Sequence, residues 1–363
     1  MKNKTDKKVL VGMSGGVDSS VTTLILKNKG YAVSGVTLKL HAQIPKNTDQ
    51  KVCGALTDVE DAKSVCNKMG LEHYCFDFSD YFEKYVINNF VSEYLIGNTP
   101  NPCIECNRHI KFNEMLKKAN ELGFDFIATG HYAQIEYKNG RYLLKKAYDL
   151  SKDQTYVLYS LTQEQLSKIL FPLGNLTKSD VRKIALENGF VNAKKPDSQD
   201  ICFILDGDYT NFISNKLNKK FDEGDFLDLK GNIIGKHKGA IRYTTGQRKG
   251  LGMGFGKPMY VVDKDILENK VFLGDETDLY TNNVIVENVN YISIPKLDSP
   301  LKCKGKLRYR QTETECTITP LNETTLVAEF LIPQRAATKG QSAVFYDDDI
   351  VICGGIITKV GNF

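Results

Sequence analysis

Residues 9–20 read Val9-Leu10-Val11-Gly12-Met13-Ser14-Gly15-Gly16-Val17-Asp18-Ser19-Ser20, and Val21, Leu24 and Ile25 follow at helical spacing. An apolar run enters a glycine turn and leaves as an amphipathic helix, the opening of an α/β sheet domain. The two glycines let the backbone turn sharply and approach an anion, and the helix behind them offers unpaired N–H groups and the positive end of its dipole. Ser14, Ser19 and Ser20 add hydroxyl donors, and Asp18 is placed to hold Mg2+ against phosphates. The loop reads as a phosphate cradle. It is not the lysine-bearing G-x-x-x-x-G-K-[ST] loop, and Gly231-Asn232-Ile233-Ile234-Gly235-Lys236 has the wrong spacing to be one.

Working outward, strands at 8–12, 31–39, 72–76 and 125–129 alternate with helices at 17–29, 58–69, 80–96 and 111–122. That rhythm predicts a parallel sheet covered by helices. Thr57-Asp58 opens one helix, Gly70 closes it, and Val59, Ala62, Val65, Cys66 and Met69 form its buried face. Thr162 to Gln165 and Thr177 to Asp180 are capping boxes, read as structural. Beyond residue 206 the helices stop, apart from 208–217, and short strands with glycine turns take over. With 363 residues, more than one core is expected. The division is 1–205, a nucleotide-binding catalytic domain; 206–280, a small mixed central module; and 281–363, a C-terminal β-barrel. The alternating glycines of Gly250 to Gly256 fit a turn between strands better than a dinucleotide loop.

No run of about 18 apolar residues suggests a membrane span, and the polar start lacks a signal-peptide core, so a cytoplasmic protein is expected. A formal net charge of +4 is too small to identify a partner. Its distribution says more: Lys302, Lys304, Lys306, Arg308 and Arg310 alternate along one stretch, which predicts five cations on one strand face, roughly 6.5 Å apart. With no acid among them, a phosphate backbone is the expected partner for that face.

Nine cysteines in a cytosolic chain are not a disulfide framework. Cys66, Cys75 and Cys353 sit among apolar residues and read as core; Cys53, Cys303 and Cys316 have no partner spacing. Cys103 and Cys106 stand in C-x-x-C spacing just before a helix, a position that lowers a thiol pKa, and Cys202 follows the polar loop Asp197-Ser198-Gln199-Asp200. No fourth ligand completes a zinc site. Two readings stand for these three thiols: a redox pair carrying sulfur as a persulfide, or three ligands of an iron–sulfur cluster with one iron open.

Ser14-Gly15-Gly16-Val17-Asp18-Ser19 resembles the signature of the PP-loop ATP pyrophosphatases, which adenylate a carbonyl oxygen. Taken with Asn101-Pro102, Cys106-Asn107, Ala128-Thr129-Gly130-His131-Tyr132, Lys152-Asp153-Gln154, Asp197-Ser198, Cys202-Phe203, Gly246 to Gly252 and Arg308-Tyr309-Arg310-Gln311, the order resembles the tRNA-specific 2-thiouridylase family over nearly the whole chain.

The resemblance implies a PP-loop (adenine nucleotide alpha hydrolase) fold and an ATP site at Gly12, Met13, Ser14, Gly15, Gly16, Val17, Asp18 and Ser19, with Leu38 and Gly130. It implies Cys106 as nucleophile, Cys202 as the persulfide carrier and a Cys106–Cys202 disulfide in the cycle. Asn101, Pro102 and Cys103 would meet the target base, and His131, Lys152, Asp153, Gln154, Arg308, Tyr309 and Gln341 would contact tRNA. The implied reaction is thiolation of the wobble uridine, U34, using ATP and Mg2+, with sulfur supplied by a cysteine desulfurase or a sulfur-relay protein. Many members have an aspartate where this chain has Cys103, which strengthens the cluster reading. A carbon–nitrogen ligase acting on RNA, a non-catalytic RNA-binding protein and a redox or metal protein are the rival classes.

Overall fold

Val9, Leu10 and Val11 run without a polar break, as a strand buried on both faces does. The structure, a computed structural model, describes residues 6–41, 56–195, 201–204 and 207–361. In it β1 (Lys8–Gly12) is the central strand of five. Its companions are β2 (Ala32–Lys39), β3 (His73–Asp77), β4 (Phe126–Ala128) and, past the hairpin of β5 (Gln134–Lys138) and β6 (Arg141–Lys145), β7 (Ile169–Leu170). The order is β3-β2-β1-β4-β7, every pairing parallel. One core joins Val9 and Val11 to Val21 and Leu26 of the helix Val17–Asn28, to Ala62, Val65 and Met69 of the segment around Leu56–Lys68, and to Val181 and Ala185 of Lys178–Glu187. Both capping boxes form, and Gly70 takes the left-handed conformation that closes its helix.

The chain divides into two units: residues 1–87, 102–207 and 349–351, and residues 88–101, 208–348 and 352–363. In the second, the helix Asn88–Leu95 packs with Tyr209–Leu217 through Phe90 on Phe212 and Tyr94 on Tyr209. A four-stranded sheet of β8 (Gly224–Leu227), β9 (Ile233–His237), β10 (Tyr260–Asp265) and β11 (Lys270–Gly274) runs in the order β10-β11-β8-β9 over a core of Phe226, Tyr243, Val261 and Leu273. After it, β12 (Tyr280–Tyr291), β13 (Leu301–Lys306), β14 (Thr314–Asn322), β15 (Thr325–Arg335), β16 (Ser342–Asp347) and β17 (Ile350–Val360) follow in the order β12-β15-β14-β13-β16-β17. The β12–β17 pairing closes them into a barrel filled by Val284, Ile318, Phe330 and Phe345. The parallel-sheet domain, mixed module and C-terminal barrel are thus the architecture expected.

Three details differ from the sequence reading. The helix expected over 111–122 begins at Pro102 and runs to 121, because proline at the first helical position gives up only an N–H that had no partner. Cys103 and Cys106 therefore lie on the helix, not before it. Cys75 is exposed, since β3 is the outer strand of its sheet. The basic face also breaks: β13 ends at Lys306, Leu307 is buried, and Arg308 turns in to donate to the carbonyl of Ala336 and to Thr338 Oγ1. Acids do interleave, from the neighbouring strands: Glu315 pairs with Lys304, and Glu329 lies across Thr317 from Lys302. A single strand's sequence cannot show what its neighbours place between its cations.

Candidate functional site

At the carboxyl end of β1 Gly12, Met13, Ser14, Asp18 and Ser19 line a cavity of about 320 Å3, together with Thr37 and Leu38 at the end of β2 and Thr129, Gly130 and His131 after β4. That is where open parallel sheets place their ligands. Gly15 has φ +65°, and a Cβ there would come within 2.7 Å of the Asp58 backbone; a Cβ at Gly130 would come within 2.9 Å of Asp18 and Ser19. Both glycines are required by close backbone approach.

The loop is held from behind. Asn192, buried, donates from Nδ2 to the Gly15 carbonyl at 3.0 Å and to Ser20 Oγ at 2.9 Å. Lys195 Nζ reaches the same carbonyl at 3.4 Å while bonding Asp58 and Asp61 at 2.8 and 2.9 Å. Thr37 Oγ1 donates to the Met13 carbonyl at 3.0 Å. Ser19 Oγ turns back to the Gly16 carbonyl and accepts from Ser14 N–H.

Asp18 is gripped by Lys178, whose Nζ bonds both carboxylate oxygens at 2.7 Å, and by Tyr132, whose hydroxyl donates at 2.8 Å. Sequence reasoning missed Lys178, taking its capping box as purely structural. The box is structural, but a lysine at a helix's first position opposes the helix dipole, and that was the available signal. Lys195 and Asn192 had no such mark, and Tyr132 stood within the Ala128 to Tyr132 motif without a role of its own. For Mg2+, which binds through one or two carboxylates plus phosphate oxygens, the loop offers one carboxylate, already paired with Lys178.

The three cysteines converge on this cavity: Cys103, exposed; Cys106, buried on the next helical turn; and Cys202, half-buried. The helix carrying the first two opens with the turn Pro102–Glu105 and continues in wide, π-type turns over Cys106–Glu114, a distortion frequent at functional sites. Asn107 anchors it by donating to the Val157 carbonyl at 2.9 Å, and Arg108 and His109 both hold Glu105 at 3.2 Å. Among the described residues no group of three or more His, Cys, Asp or Glu is placed to hold a metal ion. Asp197 to Asp200 lie outside the described residues, as does Cys53.

His131 is buried between Phe112 and Phe171 at the cavity wall, with Nδ1 2.7 Å from Thr129 Oγ1; burial, aided by Lys111, holds its pKa well below the usual range and keeps it neutral. Gln154 lines the cavity and exchanges two bonds with the Tyr132 backbone, while Asp153 accepts from Ala147 N–H and Thr155 Oγ1. Lys152 ends the short turn before them. In the second unit, Gln341 donates to the Thr99 carbonyl at 2.6 Å and so supports the segment leading to Asn101; Tyr309 is exposed. Among the described residues no helix is long and apolar enough to cross a membrane.

Comparison with known proteins agrees along the chain. Residues 7–206 match the family described as the tRNA methyl transferase HUP domain, 210–275 its PRC-barrel domain, and 281–357 the aminomethyltransferase β-barrel domain. The chain is 53% identical over 359 residues to the tRNA-specific 2-thiouridylase MnmA of Acetivibrio thermocellus, covering 97% of this chain and 99% of the relative. It is 51% identical to the protein of that name from Clostridioides difficile, covering 98% and 99%. A third, MnmA 2 of Caldanaerobacter subterraneus subsp. tengcongensis, is 50% identical, covering 98% of each.

Proposed function

The chain belongs to the tRNA-specific 2-thiouridylase family, and from that premise we propose that the cavity below the PP-loop is where ATP, the target uridine and the sulfur carrier meet. The enzyme is an ATP-dependent tRNA-uridine 2-sulfurtransferase. The observation that carries the site reading is the convergence of Ser14, Asp18, Cys103, Cys106 and Cys202 on one cavity.

A stacked uridine hides its C2 oxygen, so the wobble base of a U34 tRNA must leave the anticodon stack to react. Asn101, Pro102 and Cys103 would receive it. The N–H groups and hydroxyls of Gly12 to Ser19 cradle the triphosphate, Leu38 and Gly130 line the nucleotide, and Lys178 supplies a cation that neutralises phosphate charge. Mg2+, when bound, shields the phosphates, with Asp18 as the protein's ligand. The uridine oxygen attacks the α-phosphorus, pyrophosphate leaves, and C2 now carries AMP as a leaving group.

The terminal sulfur of a Cys202 persulfide attacks C2 and AMP departs with the old oxygen. Cys106 then attacks Cys202 Sγ, which frees the thiocarbonyl and leaves a Cys106–Cys202 disulfide; an external thiol reduces it for the next round. In the alternative order Cys106 first releases sulfide from the persulfide, forming the same disulfide. His131 is neutral, and it meets tRNA as a hydrogen-bonding partner. Lys152, Asp153, Gln154, Arg308, Tyr309 and Gln341 complete the tRNA contacts, Asp153, Gln154, Arg308 and Gln341 by holding backbone in place as much as by touching RNA. A cysteine desulfurase or a sulfur-relay protein of the cytoplasm supplies the sulfur. Residues 1–205 would carry the chemistry, with 206–280 and 281–363 grasping the tRNA.

Cys202→Ser tests the relay. Thiolation should vanish while tRNA-dependent pyrophosphate release persists; a variant that thiolates at the wild-type rate rules the relay out.

A further inference from the structure

Cys303 and Cys316 are 13 positions apart with nothing between them to suggest a pair, yet β13 and β14 place them directly opposite each other. Their sulfurs are 3.6 Å apart. Residues facing each other across antiparallel strands have Cα atoms about 4.5–5.5 Å apart, within the range of about 4.4–6.8 Å that a disulfide spans. Closing the sulfurs to about 2.05 Å is then a side-chain rotation, with the backbone ladder intact.

The pair is also reachable. Both cysteines are among the residues lining an open cavity of about 680 Å3 over β13, β14 and β15. Cys303 is half-buried and is the sulfur a solute meets first; Cys316 lies deeper. Lys302 and Lys304, with Glu315 and Glu329 of the neighbouring strands, alternate with the cysteines and point to the opposite face, away from the sulfurs, which face the barrel core. The hydrogen-bonding contact with Cys303, and then burial, raise the Cys316 thiol pKa, so Cys316 serves better as the resolving group than as the first nucleophile.

We infer that Cys303 and Cys316 form an oxidation site, closing to a cross-strand disulfide by exchange with a low-molecular-weight disulfide. Cys303 thiolate attacks one sulfur of RS–SR, forming a mixed disulfide and expelling RS−, which takes up a proton. Cys316 gives up its proton and attacks Cys303 Sγ, expelling the second RS−. Two protein thiols are oxidised and one RS–SR is reduced to two RSH. The product clips β13 to β14 next to Lys302 and Lys304, independently of the thiols used in sulfur transfer.

The test uses the reduced full-length protein, oxidised glutathione as probe, alkylation of remaining thiols under denaturing conditions, and peptide mass mapping, which separates this link from one between Cys106 and Cys202. Expected is a linked peptide pair carrying Cys303 and Cys316, about 2 Da lighter than the two thiol peptides. Cys303→Ser should leave Cys316 fully alkylated, and Cys316→Ala should stop at glutathione on Cys303. Full alkylation of both cysteines in the unsubstituted protein, or a Cys303–Cys353 link, overturns the pairing.

Discussion

Gly15 and Gly70 share a φ of +65°, but their surroundings differ completely. A Cβ on Gly70 meets nothing within 4 Å, whereas one on Gly15 would lie 2.7 Å from both Cα and the carbonyl oxygen of Asp58. Alanine at either site pays the left-handed backbone cost, about 1–2 kcal/mol. Only Gly15→Ala adds overpacking against a backbone that is itself part of a helix, about 1–3 kcal/mol more. For a unit of this size each kcal/mol lowers Tm by about 2–4 °C, so Gly70→Ala should lose about 2–8 °C and Gly15→Ala about 4–20 °C. The larger difference lies in function. To reach an ordinary contact the loop must retreat by several tenths of an ångström, and the N–H groups beside Gly15 move with it. Each bond lost to a charged phosphate is worth about 1.5–3 kcal/mol, or roughly 10- to 150-fold in ATP half-saturation. The assay is tRNA-dependent pyrophosphate release over a range of ATP concentrations, beside thermal unfolding of both variants. If Gly15→Ala matches Gly70→Ala in Tm and in ATP half-saturation within twofold, the loop is not seated against Asp58 and the phosphate-cradle reasoning fails.

Lys178→Met removes the cation that holds both oxygens of Asp18 at 2.7 Å. ATP half-saturation should rise about 10-fold or more, the worth of one charge-assisted bond, and an unchanged value in pyrophosphate release would remove Lys178 from the site. Lys264 gives a pH prediction: burial pushes its pKa down to about 8, its Nζ lying over the Tyr94 ring and donating to the Tyr243 carbonyl at 2.9 Å. Its folded-state pKa is below the unfolded value of about 10.4, so the unfolded chain binds more protons between these limits and this residue's contribution to stability rises as pH climbs from about 8 to about 10. Lys264→Met should flatten that rise in urea-midpoint measurements and gain stability at pH 7; a wild-type slope that falls over the same interval, once other groups are matched by the variant, refutes the burial argument.

What was legible in the sequence was whatever has a local period. The run Val9 to Val11, the glycine turn and the helix behind it carry their own signature, as do the capping boxes at Thr177 and Thr162, and all of them form. What was illegible depends on residues brought together from afar. Lys178 meets Asp18 from 160 positions away, and its odd place at a helix start says that it is held by something without saying by what. The basic run after Lys302 looked uniform because alternation describes one strand, while the acids that break it up come from β14 and β15. Cys303 and Cys316 failed every spacing rule because register, which spacing does not encode, made them partners.

The same distinction explains how a loop rich in glycine can be a rigid site. Gly15 and Gly16 permit the turn but do not hold it, since glycine carries the largest conformational entropy of any residue. The holding is done at long range: Asn192 and Lys195 take the Gly15 carbonyl, Thr37 takes that of Met13, and Ser19 and Ser20 take that of Gly16. With those carbonyls bonded on the protein side, each peptide plane is fixed, and its N–H direction with it. Donors oriented before the ligand arrives cost no ordering entropy when it binds and no reorganisation as charge develops on the α-phosphate. The sequence motif therefore supplies the shape of the cradle, and the distant side chains supply the rigidity that makes it useful for adenylation.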